Sequence, residues 1–174
     1  MDDEAKKITN DLDDSGGLTN WGITKKAYEA FTKTAVSVDY FENLTLENKK
    51  WFYQEVFWKP LGCDKMEKIG VAVCIFDTAV LYGATTGALL AQKTADICGG
   101  ALKIDGILGP QSVIIINAIG SDLFIDSFRA NVLSRVDTVC LQNPKDEKYR
   151  NGWTNRANRL LTLKSLVPVV GQTT

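Results

Sequence analysis

Residues 69–97 read IGVAVCIFDTAVLYGATTGALLAQKTADI, and their pattern decides the fold class. The run is apolar on several faces through Ile69–Tyr82 and again through Thr85–Ile97. A helix that is apolar nearly all round belongs at the centre of a core. Asp77, with glycines and threonines around it, argues against a membrane span, which needs about 20 predominantly apolar residues. Two consecutive buried helices are predicted, and Gly99-Gly100 stops the second.

Working outward, the same helical period continues in both directions. Thr24 is placed to cap a short helix with Ala27, Tyr28 and Phe31 on one face. Thr45 is placed to cap another, whose apolar stripe is Leu46, Trp51, Phe52, Val56 and Phe57, ending before Pro60. Asp105-Gly106 and Gly109-Pro110 bracket a tight loop, and Pro110 suits the first turn of a helix over residues 111–118. A long helix runs from Ser121 to about Leu141, with Phe124, Phe128, Val132, Leu133, Val136 and Cys140 at core spacing. Asn143-Pro144 ends it. A last helix is expected to begin near Thr154 and to carry Ala157, Leu160, Leu161 and Leu163. The fold class predicted is all-α, with short extended pieces near residues 18–24.

Composition excludes several chemistries. The chain has 174 residues, 45% hydrophobic and 24% charged, which is enough to bury a core in one domain with at most a small second lobe. Its net charge of −1 supplies no basic field for nucleic acid. Histidine is absent, so imidazole acid–base catalysis, Ser-His-Asp and Cys-His hydrolysis and His-containing zinc sites are all excluded. Cys63, Cys74, Cys98 and Cys140 are far apart and never form C-x-x-C, so no metal and no cofactor are expected. Cys74 and Cys98 lie in apolar surroundings and read as buried free thiols, while disulfide pairing stays open. Met1-Asp2-Asp3-Glu4 opens acidic, unlike a signal peptide. The expectation is a chain made in the cytoplasm that needs another route to reach a wall, a periplasm or a phage particle.

The chemistry concentrates in residues 10–24, NDLDDSGGLTNWGIT. Gly16-Gly17 suit positive φ in a turn. Asp14 and Thr19 are residues whose side chains hold such loops by bonding nearby backbone N–H groups. Trp21 is suited either to stack on a sugar face or to pin the loop to the core. Downstream, Asp77 in its apolar helix must be hydrogen-bonded if buried, and tying the opening loop to that helix is its simplest role. Trp153 and Arg156, with Arg159, either line a cleft for sugars and carboxylates or fix the last helix against the core.

This stretch resembles the signature of glycoside hydrolase family 108, the phage-type N-acetylmuramidases also described as secretion activators. That signature runs E-G-G-Y-x-N-D-P-x-D-x-G-G-x-T-N-x-G-I-T. Asn10-Asp11, Asp14, Gly16-Gly17, Thr19-Asn20 and Gly22-Ile23-Thr24 match it without gaps, and Trp21 fills a usually aromatic position. Phe57-Trp58 is similar to the family's aromatic pair. Phe76-Asp77-x-Ala79-Val80-x-x-Gly83 resembles its F-D-x-A-V-N-S-G helix, with Leu81 in place of the Asn. Asp105-Gly106-x-x-Gly109-Pro110 resembles the D-G-x-x-G-P of its peptidoglycan-binding-type segment, and Gly152-Trp153-Thr154-Asn155-Arg156 its closing G-W-x-N-R.

The resemblance implies a lysozyme-like fold, with a muramidase segment over residues 1–98 and a peptidoglycan-binding-type segment over 99–174. It implies action on the glycan strands of peptidoglycan, with phage or secretion-machine proteins as further partners. Cleavage of that bond needs a protonated carboxyl as general acid and a second group that assists water or the oxocarbenium-like transition state. The implied acid is the Glu of E-G-G-Y, partnered by Asp14 and Thr19, and the implied substrate-binding residues are Asn20, Trp21, Asp77, Trp153 and Arg156. Register places Ala5 at the acid position and Lys6-Lys7-Ile8 where the signature has G-G-Y. Glu4 is the neighbouring carboxyl, but one step along a helix turns a side chain by about 100°. Two readings follow: a muramidase that uses Glu4, or a lysozyme fold kept for binding or assembly without catalysis.

Overall fold

The computed structural model describes residues 17–166 and the backbone of residues 8–9. Among these the chain is mainly helical, as the periodicity predicts. The extended pieces expected near residues 18–24 are β2 (Thr19–Asn20) and β3 (Ile23–Thr24). They pair antiparallel, with β1 (Ile8–Thr9) on the other edge of β2. The chain divides into two compact units, residues 1–56 and 57–174.

In the first unit, α1 (Lys25–Thr32) starts at the predicted cap, where the Thr24 hydroxyl accepts the Ala27 N–H at 3.1 Å. Helix α3 (Leu46–Tyr53) likewise starts at Thr45, which accepts the Asn48 N–H at 3.1 Å. Between them lies α2 (Val38–Glu42), which the apolar period does not reveal. It is only five residues long and buries Phe41 alone. Rings hold this unit together: Tyr28 meets Phe41 at 6.0 Å and Phe52 at 6.1 Å. Burial, with Tyr40 beside it, pushes the Tyr28 phenol up to about 12. Leu46 and Trp51, expected on the apolar stripe of α3, are instead exposed. The helix then widens into a π-helical turn, Gln54–Trp58, which changes the facing of the residues that follow.

The second unit is built on α4 (Ile69–Tyr82) and α5 (Ala84–Ile97), the two predicted central helices. They pack backbone to backbone, since a Cβ on Gly87 would lie 2.6 Å from the Ala79 Cβ. Helix α6 (Pro110–Ala118) opens on its proline, and α7 (Ser121–Gln142) buries Phe124, Phe128, Val132, Val136 and Cys140 as spaced. The final helix differs from expectation. A 3-10 turn over Pro144–Tyr149 leads straight into α8 (Arg150–Arg159), and Leu160–Ser165 tightens again to 3-10. Leu160, Leu161 and Leu163 therefore lie beyond the α-helix, and Leu160 is buried from the 3-10 turn.

Position 98, where the two family segments are proposed to divide, falls inside this second unit, just past α5. Beyond it, the Asp105–Pro110 motif is a loop organised by one buried amide. Gln92 donates to Asp105 Oδ1 and Ile107 O, each at 3.0 Å, and accepts from Asp105 N–H at 3.1 Å and Gly106 N–H at 2.8 Å. All four bonding directions of a fully buried side chain are thereby used. The amide bond, with the Ile107 N–H, holds the Asp105 carboxyl below its usual range. All four cysteines are free thiols; Cys63, Cys74 and Cys140 are buried. Cys98, expected buried, is only half-buried at the end of α5.

Candidate functional site

The predicted site residues fall into two groups, one in each unit, and each group has its own geometry. Glu4, Ala5 and Asp14 lie outside the described residues.

In the first unit, Thr19, Asn20 and Trp21 stand on the β2–β3 hairpin, whose two-residue connection is Trp21-Gly22. Both connecting residues have positive φ, 54° and 80°, as a type I′ turn requires. Glycine adopts this freely, whereas tryptophan there costs roughly 1–2 kcal/mol. The strained backbone is locked from α3: the Tyr53 hydroxyl donates to Trp21 O at 2.7 Å. The turn thrusts the indole outward, 52% exposed, with Lys49 Nζ 4.9 Å from the ring centre. Of the two roles open to Trp21, pinning the loop is thus performed by its carbonyl, and its ring faces solvent.

Asn20 has no exposed surface. Its amide donates to Phe41 O at 2.7 Å and Glu42 O at 3.2 Å, carbonyls at the C-terminal end of α2. Its position is that of a tie between hairpin and helix. Thr19 donates its hydroxyl to Gly17 O at 3.1 Å, a bond to a carbonyl rather than to the backbone N–H expected of it.

In the second unit, α4 and α8 bring Asp77, Arg156 and Trp153 together. Arg156 Nε donates to Asp77 Oδ2 and Nη2 to Asp77 Oδ1, each at 2.9 Å, with a further bond from Nη2 to Asp77 O at 3.2 Å. This two-pronged fork is the strong form of an ion pair. Among the described residues the carboxylate's partner is α8; the opening loop that it was expected to tie lies largely outside the described residues. Trp153 stands one turn before Arg156, its ring centre 6.2 Å from Tyr82 and 5.6 Å from Tyr149. Burial raises the Tyr82 phenol, opposed by the charges of Arg135 and Arg156. Tyr82 and Arg135 carry no motif that singles them out. The available signal is a cation on α7 between the buried Val132 and Val136.

Among the described residues no group of three His, Cys, Asp or Glu side chains is placed to hold a metal, and no helix is long and apolar enough to cross a membrane.

Comparison with known proteins finds a structural likeness over most of the chain and a family likeness over its first half. Solved structures that match include SagA of Brucella abortus, at a TM-score of 0.76 and 22% identity, covering 93% of this chain and 90% of that one. At that identity the likeness speaks for the fold. No curated protein matched. The profile of the family described as glycosyl hydrolase 108 matches residues 1–83, which include the hairpin, α1–α3 and all of α4. Over these residues the chain is similar to the glycosyl hydrolase 108 family.

Proposed function

We propose that this protein is a lysozyme-like, peptidoglycan-directed member of its family that holds glycan without cleaving it. The observation that carries this reading is Ala5, which the motif register places where the family's general acid stands. A methyl group has no proton to give the leaving oxygen, and Lys6-Lys7 replace the glycines that accompany the acid. Asp14, Thr19, Trp21, Trp153 and Arg156 remain from the implied site. A binding or assembly component of a phage particle or secretion machine is the role that suits such a chain.

The test is to incubate the intact chain with purified sacculi. It should pellet with them and release no reducing ends between pH 4 and 8, a range spanning the working pH of carboxyl acids (about 4 to 7). Release of reducing ends would overturn the proposal. In that event Glu4→Gln distinguishes the second reading, which the position of Glu4 beside the vacant site supports: loss of release in this variant would make Glu4 the acid.

The exposed indole gives a further prediction. Trp21→Asn puts a residue that tolerates the left-handed region into the turn, relieving roughly 1 kcal/mol of strain. It also removes a cation–π contact worth about 0.5 kcal/mol. The expected result is a melting temperature equal to or above wild type together with reduced pelleting on sacculi. Unchanged pelleting would remove Trp21 from the binding surface.

A further inference from the structure

Four isoleucines among the described residues are exposed, Ile97, Ile104, Ile107 and Ile114, and all four fall between the last residue of α5 and the middle of α6. Apolar residues scattered singly over a surface need no explanation, but a cluster does. Helix α6 is at the centre of this one. Its sequence, PQSVIIINA, carries no charged residue. Ser112, Val113 and Ile116 are buried on one side of it. The side that meets solvent is Pro110, Gln111, Ile114 and Ala118, which lie within about 100° of one another around the axis. A surface helix ordinarily turns charged residues to solvent, and one that is apolar nearly all round belongs under cover. The neighbouring segments extend this face. Ile107, 70% exposed, stands just before the helix, and Gln92 holds its carbonyl at 3.0 Å, so the exposed side chain rides on a fixed backbone. Gly100 brings the end of α5 against α6, since a Cβ there would lie 2.6 Å from Ile115 Cγ2.

We propose that this face, centred on Ile107, Gln111 and Ile114, pairs with the same face of a second copy of the chain about a two-fold axis. Such an axis sets one surface patch against its own equivalent, so a charge at the centre would meet its own kind. Helix α6 has none. Gln111, the one exposed polar side chain on the helix, carries both donors and an acceptor, so two copies can satisfy each other. The rim carries both signs at each end of the helix. Ahead of α6, Lys103 pairs with Asp105 at 3.4 Å. At its C-terminal end, hydrogen bonds to Asn117 and Ile119 gather Lys65, Glu67 and Lys68. A copy turned end for end therefore has opposite charges available at both ends. An uncharged apolar centre inside a charged rim is the anatomy of a protein interface. Nucleic acid or an anionic lipid surface would instead need cations on the helix face. A helix of nine residues with its adjoining loop falls at the low end of interface size, below about 800 Å² per partner, so the pair is a weak one with dissociation in the micromolar range.

Sedimentation equilibrium of the full chain at about 1 to 300 µM tests this pairing. The weight-average mass should rise across that range from one chain toward two. Ile114→Lys and Ile107→Lys each place a charge in both halves of the contact, and each should weaken association at least tenfold. Both residues are exposed, so the melting temperature at the lowest concentration should be unchanged. Leu141→Lys, at an exposed position near the end of α7, is the control and should associate as wild type does. A wild type that stays a single chain at every concentration would overturn the proposal. So would lysine variants at 107 and 114 that both pair as wild type, or a Leu141→Lys protein weakened as much as they are. If the wild type is a single chain and Ile114→Lys no longer pellets with sacculi, the face serves glycan and the second copy is excluded.

Discussion

Gly70→Ala is expected to cost about 3 kcal/mol of stability, although alanine is the better helix former by about 1 kcal/mol. Gly70 lies in the first turn of α4, and a Cβ there would sit 2.3 Å from Leu163 O and 3.2 Å from the attached carbon. Leu163 belongs to the 3-10 turn that follows α8, and its carbonyl already accepts the Leu166 N–H at 3.1 Å. It cannot swing aside without giving up that bond. The α4 backbone and the turn must therefore separate by roughly 1 Å, opening a dispersion contact along the whole seam. Gly152→Ala is the control. It lies inside α8, a Cβ there would meet nothing within 4 Å, and the substitution should stabilise by about 0.5–1 kcal/mol. Denaturant midpoints with unchanged m-values measure both. A Gly70→Ala protein as stable as wild type would mean that the turn does not pack on α4 as described.

What the sequence discloses follows from how local each signal is. Helices α4 to α7 can be read from it because each carries its own apolar run, with Gly99-Gly100 stopping α5, Pro110 starting α6 and Asn143-Pro144 stopping α7. The starts of α1 and α3 can be read because a threonine hydroxyl three residues before an N–H is a local event. Helix α2 escapes because five residues cannot display a 3.6-residue period. The start of α8 escapes because Arg150-Asn151-Gly152 is polar and continues a preceding turn, so no apolar residue marks the change. The site divides the same way. The Thr19 bond spans two residues, so a local side-chain-to-backbone contact is legible in the sequence even though its partner is a carbonyl and not an N–H. The Asp77–Arg156 fork spans 79 residues, and nothing in either local pattern announces it. The exposure of Trp21 runs against propensity, since tryptophan is a poor choice for a left-handed turn. Conflict between local preference and observed backbone is where function is expected to reside.

Ala5→Glu is expected to create glycan cleavage, raising reducing-end release from purified peptidoglycan by at least about 10²-fold over the unaltered chain. General acids contribute about that much or more, and the register of Asp14 and Thr19 relative to position 5 is the one the family motif uses. Ala5→Gln should gain nothing, because an amide of the same shape has no acidic proton. The neighbouring lysines set the pH dependence. Cations beside a carboxyl favour its ionised form and lower its pKa. A general acid works only while protonated, so the activity of Ala5→Glu should fall away as pH rises through that lowered value. Exchanging Lys6 and Lys7 for glycine in the same background removes the cations, and the upper limit of the pH profile should move upward. If the triple variant still pellets with sacculi yet releases nothing at any pH, the missing acid is not what separates this chain from catalysis. The damage would then lie in the supporting groups, and the motif register would no longer account for the non-cleaving role proposed for this chain.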